Sequence, residues 1–517
     1  MKKKRIVSTL LALLLFAGLP VSALADTWDI SKGDIAVNAG SGGQTVTQGG
    51  GAAVEDSAPV ITGSSTENTL TIKAESGQTA NVTLSGANID VSGKGKAAVS
   101  TNGEGNVSIE LNGDNTLKSG KGHAGLEKKN GGKLTIADED KNGKLTAEGG
   151  KYGAGIGGGD QGAGSGITIT GGEIKATGGQ YGAGIGGGKG DGSDITISGG
   201  EVNATGGTSG AGIGGGYNGN GSDITITDGE VNATGGKYGA GIGGGEYGIG
   251  KDIIITGGEV NATGGRFSAG IGGGSRGTGS DITISGGEVN ASGGVNGAGI
   301  GGGLRSKGKD ITVSGDTKLK VQGGDEDHYD GAGAGIGDGG SRPKGSTGGS
   351  PIPGAEVEPD TSGLTTNGSI EYYAPGADME KDKPTSTTTG KPTEPGKPTE
   401  PTEPTEPIEP AVPEQPEAER GMDAPLYFIT DRDGRAVRCR AERKGGVLTV
   451  TVDEDFAVLT SSLSGMTALR AQGIEKIIFV TNGAKTAVKL STIISKLTAN
   501  GVFRLTHDGK AVTFTLG

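Results

Sequence analysis

From Asp194 to Ser198 apolar and polar residues alternate, and from Glu201 to Thr205 they alternate again. A period of two is that of a half-buried β-strand. It predicts Ile195, Ile197, Val202 and Ala204 facing inward, with Asp194, Thr196 and Ser198 facing out. Gly199-Gly200 and Gly206-Gly207 follow the two strands, and Ala211-Gly212-Ile213 reads as a third short strand. Three short strands separated by glycine corners describe one coil of a parallel β-helix. Glycine suits such corners because it takes positive φ without a Cβ clash.

The coil recurs. Its third strand carries the phrase Ala-Gly-Ile-Gly-Gly-Gly, read at Ala154–Gly159, Ala183–Gly188, Ala211–Gly216, Ala240–Gly245, Ala269–Gly274 and Ala298–Gly303, with a shortened copy at Ala334–Gly337. The isoleucines are spaced 29, 28, 29, 29, 29 and then 36 residues apart. A fixed period of this size marks a solenoid whose repeats bury their apolar faces by stacking. Degenerate coils precede it: Ala97-Ala98-Val99 and His123-Ala124-Gly125-Leu126 stand in the place of the phrase. Val107–Ile109, Leu134–Ile136, Thr69–Ile72 and Val82–Leu84 read as strands. The fold class expected is an all-β right-handed parallel β-helix over 26–340, capped by the coils around Trp28, plus a small C-terminal α+β domain.

Before and after this region the texture changes. Lys2–Arg5, the apolar run Leu10–Leu19 and Ala23-Leu24-Ala25 have the form of a signal peptide over 1–25, too short to span a bilayer. The expected location is therefore extracellular or at the cell surface. Residues 341–424, Gly/Ser-rich and then rich in Pro, Thr and Glu, read as a linker. In 425–517, strands are expected at Leu426–Thr430, Val447–Val452, Ile474–Val480, Val502–Thr506 and Val512–Leu516, and helices at Leu459–Ala471 and Thr492–Leu497. His507 reads as abutting the Asp508-Gly509 hairpin turn. The lone Cys439 cannot form an intramolecular disulfide and reads as a buried small hydrophobe.

Composition narrows the function. With 112 glycines among 517 residues and 3% aromatics, the chain has little material for an ordinary globular core, and its glycines lack a Gly-X-Y period. A net charge of −13 argues against nucleic acid as a partner. The expected state is a monomer without a membrane span.

The start at Trp28–Ser31, the phrases Asn106–Glu110 and Asn115–Gly120, and the Ala-Gly-Ile-Gly-Gly-Gly repeats resemble a group of secreted Firmicutes proteins described as carbohydrate-binding-domain-containing. The resemblance covers residues 26–345. It implies a right-handed β-helix similar to that of polysaccharide lyases, and it implies sugar binding, but it carries no binding residues to specific positions. Residues 425–517 resemble a C-terminal module of similar gut-bacterial proteins.

Stacking turns equivalent residues into ladders spaced about 4.8 Å. Tyr152, Tyr181, Tyr238 and Phe267 share one column, interrupted by Ser209 and Asn296, with Tyr217 and Tyr247 just after the phrase. Aromatic rings beside a side-chain-free glycine strip suit a polysaccharide; equally, they cover glycine corners and stabilise the coil by stacking on one another. A Glu column (Glu173, Glu201, Glu230, Glu259, Glu288) and an Asp column (Asp194, Asp223, Asp252, Asp281, Asp310) read as solvated charge or as calcium ligands. Asn203, Asn232, Asn261 and Asn290 form a polar ladder facing solvent. The long final step inserts an acidic turn that reads as a solvated end-cap loop or, with Asp325, Glu326, Asp327, Asp330 and Asp338 as candidate ligands, as a calcium site.

The acids repeat on every rung, whereas a lyase needs a singular cluster on a few rungs. Arg266, Arg276 and Arg305 fall at scattered turns, and His123 and His328 at opposite ends of the array. The sequence therefore favours a secreted, non-catalytic polysaccharide-binding protein, with a structural or adhesive spacer and a β-helix polysaccharide lyase as alternatives.

Overall fold

The computed structural model describes residues 26–342 and 350–390, together with parts of 428–516. The signal-peptide segment, the Pro/Thr/Glu-rich tract and Cys439 lie outside the described residues. The chain divides into two units, Met1–Pro395 and Gly396–Gly517.

The first unit is a parallel β-solenoid in which each turn contributes to three walls. The first wall stacks strands such as Gly164–Ile169, Gly250–Ile255 and Gly279–Ile284; the second stacks Glu173–Thr177, Glu259–Thr263 and Glu288–Ser292. Gly192–Thr205 and Gly221–Thr234 run through both walls without a break, so the two merge into one 21-stranded sheet among the described residues. The third wall is built of two-residue strands from the glycine phrase, such as Ile185–Gly186 and Ile213–Gly214, within a 13-stranded sheet.

Registers follow the repeat. Ile195 pairs with Ile224, Val202 with Val231, and Ile213 with Ile242. The inward residues Ile195, Ile197, Val202, Ala204 and Ile213 are all buried. The degenerate coils join the same stack: Val99 pairs with Leu126, which pairs with Ile156. The core is a narrow column of aliphatic side chains. Each layer covers the next, so that no coil needs an aromatic filler.

The ends of the stack are closed differently. At the N-terminus Ile35–Gly40 folds back antiparallel onto Gly43–Gln48, which pairs with Val54–Glu55. Trp28 packs against the core, and its indole donates to Asp56 at 2.8 Å. At the C-terminus the stack continues beyond the expected boundary at 340. Ser369–Tyr373 pairs parallel with Lys318–Gln322, and Ser386–Thr389 closes that strand antiparallel. Residues 350–390 are thus part of the solenoid rather than linker. Ile370 enters the core and Tyr372 packs on it, where burial pushes the Tyr372 phenol up to about 12. A composition rich in Gly, Ser and Pro masked a coil whose strand is the apolar-polar run Ser369–Tyr373.

Among the described residues of the second unit the five expected strands are present with small shifts in their bounds, and three more are added: Arg440–Lys444, Phe456–Ser462 and Lys485–Lys489. The helix expected to start at Leu459 is corrected, because Leu459 lies in a strand paired with Val502–Asp508. Met466 and Leu469–Arg470 are helical, and a second helix spans Leu490–Ile494. Leu459 alternates with Ala457 on the buried face of its strand, a period-two signal that the helical reading overlooked.

His507 is fully buried. Its ring contacts the Thr481 hydroxyl at 3.1 Å and the Thr486 hydroxyl at 2.9 Å and packs on Phe479. Burial pushes its pKa below the ordinary imidazole value.

Candidate functional site

The glycine phrase makes one wall of the coil almost free of side chains, and its residues are buried against backbone of neighbouring rungs, which enforces glycine there. Gly243 has φ +131°, and a Cβ there would overlap the carbonyl oxygen of Gly272 on the next rung. The equivalent glycines from Gly157 to Gly337 share the conformation, with φ from +127° to +140°.

The aromatic residues gather along the edge of this wall. Tyr152 and Tyr181 stack at 5.3 Å between centroids with planes 15° apart. At the next rung the column holds Ser209, which is buried and donates to Glu246 at 2.7 Å. Tyr217 fills the gap. Its backbone N–H donates to the Tyr181 carbonyl at 2.8 Å, and its ring meets Tyr181 edge-on at 5.6 Å. Tyr247 then meets Tyr217 edge-on at 6.2 Å and is 46% exposed. Tyr238 and Phe267 form a separate stacked pair at 6.2 Å.

All six candidate aromatics therefore lie on one edge, four of them in an unbroken run. The stacked pairs turn ring faces toward one another, as the stabilising reading expects. Tyr217 and Tyr247 are turned roughly at right angles to their neighbours, with interplanar angles of 72° and 83°.

Cations line the same edge. Lys121, Lys151 and Lys189 all lie within 6 Å of the Tyr152 centroid, Lys237 lies over Tyr238, Arg266 over Phe267 and Arg276 over Tyr247. Arginines that look scattered in the sequence are thus gathered by the coil.

A cluster the sequence reading missed lies where the phrase is first replaced. Leu126 pairs with Ile156 and Glu127 with Gly157, so Glu127-Lys128-Lys129 stands where later rungs have three glycines. The Glu127 carboxylate is buried; His123 Nδ1 lies 3.1 Å from both of its oxygens, and Lys129 Nζ 2.7 Å from one. The Lys128 ammonium donates to the Asn130 carbonyl at 2.7 Å, and burial lowers its pKa. The sequence signal was the departure from glycine itself, combined with the His-Glu spacing of four.

The candidate calcium ligands do not assemble. Asp330 is buried in a two-pronged pair with Arg305 at 2.8 and 2.7 Å. Asp327 accepts the N–H groups of Tyr329 and Asp330 and lies 3.7 Å from Arg266. Asp338 accepts the Gly308 N–H at 3.0 Å. Asp325 contributes its backbone carbonyl to the Asn296 N–H. Among the described residues no three such groups converge as metal ligands. Three of the carboxylates, Asp327, Asp330 and Asp338, instead satisfy arginines and backbone donors around the inserted turn. Asn296, buried in the aromatic column, also donates to the Asp330 and Gly331 carbonyls.

The acidic ladders also have structural explanations. Asp194, Asp223, Asp252, Asp281 and Asp310 all have φ between +50° and +55°, a conformation Asp tolerates better than most residues. The Glu column is exposed, begins beside Lys144 and ends beside Lys318. The Asn ladder is half-buried rather than freely solvated, each amide donating to the carbonyl of the one before at 3.2, 2.9 and 2.7 Å.

Six segments, 141–160, 167–189, 195–217, 224–246, 253–275 and 282–304, match the family described as Beta helix repeat. These segments of the solenoid are β-helix repeats. The matched β-helix repeats begin near the inward strand residues and end at the glycine phrase, so they cover the coils that build the aromatic edge. No curated protein and no solved structure matches the chain. Among the described residues no helix is long and apolar enough to cross a membrane.

Proposed function

We propose that this protein acts outside the cell as a non-catalytic polysaccharide-binding protein, holding an extended glycan along the aromatic edge. The observation that carries this reading is the unbroken run Tyr152–Tyr181–Tyr217–Tyr247 along the margin of the buried glycine wall. The run places a ring on each of four successive coils, as an extended ligand requires. The stacked tyrosines pre-order the edge, and Tyr247 leaves ring surface open to a sugar. Basic groups beside the rings add hydrogen-bond donors.

Affinity electrophoresis of the full chain against a panel of soluble polysaccharides tests the proposal. Retardation by at least one glycan, lost in Tyr217→Ala/Tyr247→Ala, is expected. Migration unaffected by every glycan would leave the spacer reading in its place.

A catalytic alternative draws support from the His123–Glu127 pair, a singular carboxylate-oriented imidazole near one end of the edge. Its test is the ultraviolet absorbance of an unsaturated product on incubation with uronate-containing polysaccharides.

A further inference from the structure

We infer that the first rungs of the aromatic edge form an anion subsite, so that the glycan held there carries carboxylate or sulfate groups. The inference rests on the polysaccharide reading and narrows its substrate class. Lys121, Lys151 and Lys189 come from three successive turns, yet their ammonium groups lie 5.7, 5.3 and 5.4 Å from the centroid of one ring, Tyr152. Lys151 also lies 6.0 Å from the Tyr181 centroid. All three are therefore within reach of one or two sugar residues placed over the Tyr152–Tyr181 stack.

Among the described residues neither Lys121 nor Lys151 has an ion-pair partner, and Lys189 has one distant contact, Asp160 at 3.9 Å. This is unusual company in a chain of net charge −13. Elsewhere on the edge Arg305 is clamped to Asp330, Arg266 lies near Asp327 and Lys129 is paired with Glu127, while Lys237 and Arg276 each stand singly over one ring rather than in a cluster. Three like charges around one ring repel one another, and an anion among them relieves that repulsion. Each ammonium brings three donors with no fixed fork, suited to an ionic group whose position varies from sugar to sugar. The tyrosine stack holds the cations near the surface by cation–π attraction.

The test uses the full chain and three polymers of related sugars: polygalacturonate with carboxylates, a sulfated galactan, and a neutral galactan. The expected result is at least tenfold tighter binding to one or both acidic polymers than to the neutral one, weakening as salt is raised. Lys121→Met/Lys151→Met/Lys189→Met should remove that preference, while the matching triple Lys→Arg variant keeps it, with both variants melting like the parent. Which acidic polymer binds more tightly assigns carboxylate or sulfate. Equal binding to neutral and acidic polymers, or an acidic preference unchanged in the triple Met variant, overturns the anion subsite while leaving polysaccharide binding standing. Failure of all three polymers and of the wider panel overturns the polysaccharide reading itself.

Discussion

Tyr217 meets Tyr181 edge-on at 5.6 Å, and its own N–H is bonded to the Tyr181 carbonyl at 2.8 Å. This contact carries the aromatic run past Ser209, where the column would otherwise end. It also joins two columns that are separate in the sequence, one before the glycine phrase and one after it. Tyr217→Ala removes two edge-on contacts, each worth about 0.5–1.5 kcal/mol. A loss of about 1–3 kcal/mol is expected in chemical denaturation of the solenoid, together with weaker glycan retardation. Ser209→Tyr offers the opposite change, but it displaces the buried hydroxyl that holds Glu246 and is expected to destabilise.

The close stacking of the third wall depends on glycine at a fixed conformation. Gly243→Ala places a methyl group against the Gly272 carbonyl at φ +131°. A cost above about 3 kcal/mol is expected, since both the overlap and the backbone strain must be relieved. Gly42→Ala, where nothing lies within 4 Å, is the control and should change the melting temperature little.

The Asp column is predicted to serve conformation more than charge. Asp281 sits at φ +55°, and in an earlier coil the same place is held by Gly166 at φ +67°. Asp281→Gly should be close to neutral. Asp281→Val should cost about 1–2 kcal/mol, because a β-branched residue resists the left-handed region. Equal melting temperatures for the two variants would contradict this account.

The C-terminal unit should be acid-sensitive through His507. Its pKa is lowered by burial, so the folded state holds the ring neutral where the unfolded chain takes up a proton near pH 6.5. The unfolded state therefore binds more protons below that pH, and stability falls as the pH drops from about 6.5 toward the depressed folded value. Corrected amide-exchange protection in Val502–Asp508 should decline over this range in the parent and decline less in His507→Gln.

The fold was legible because its signals repeat. The inward Ile195 and Ile197, the Gly200 corner at φ +87° and the Ile213 column were all readable from spacing alone, since each recurs at a fixed interval. What the sequence hid was what happens once. The last coil, built on Ser369–Tyr373, has no copy of the glycine phrase and lies in a stretch whose composition suggests a linker. The density of acids in the inserted turn left both a solvated end-cap loop and calcium ligation open. The sequence did not show that Arg266 and Arg305, from earlier coils, would arrive beside Asp327 and Asp330. The aromatic residues were found, but whether their rings stacked, crossed or faced outward depended on side-chain packing between rungs. The His123–Glu127 pair is hard to read from sequence because His123 opens a worn repeat and Glu127 lies just beyond it, and only folding buries the carboxylate beside the imidazole.

The most direct test of the account is hydroxyl-radical footprinting of the full chain with and without a saturating polysaccharide identified in the retardation panel. Binding along the aromatic edge predicts protection of Tyr217 and Tyr247. Ile254, 41% exposed on the first wall, should be unchanged. Protection of Ile254 with Tyr217 and Tyr247 labelled as before would place the glycan on a different face and contradict the account.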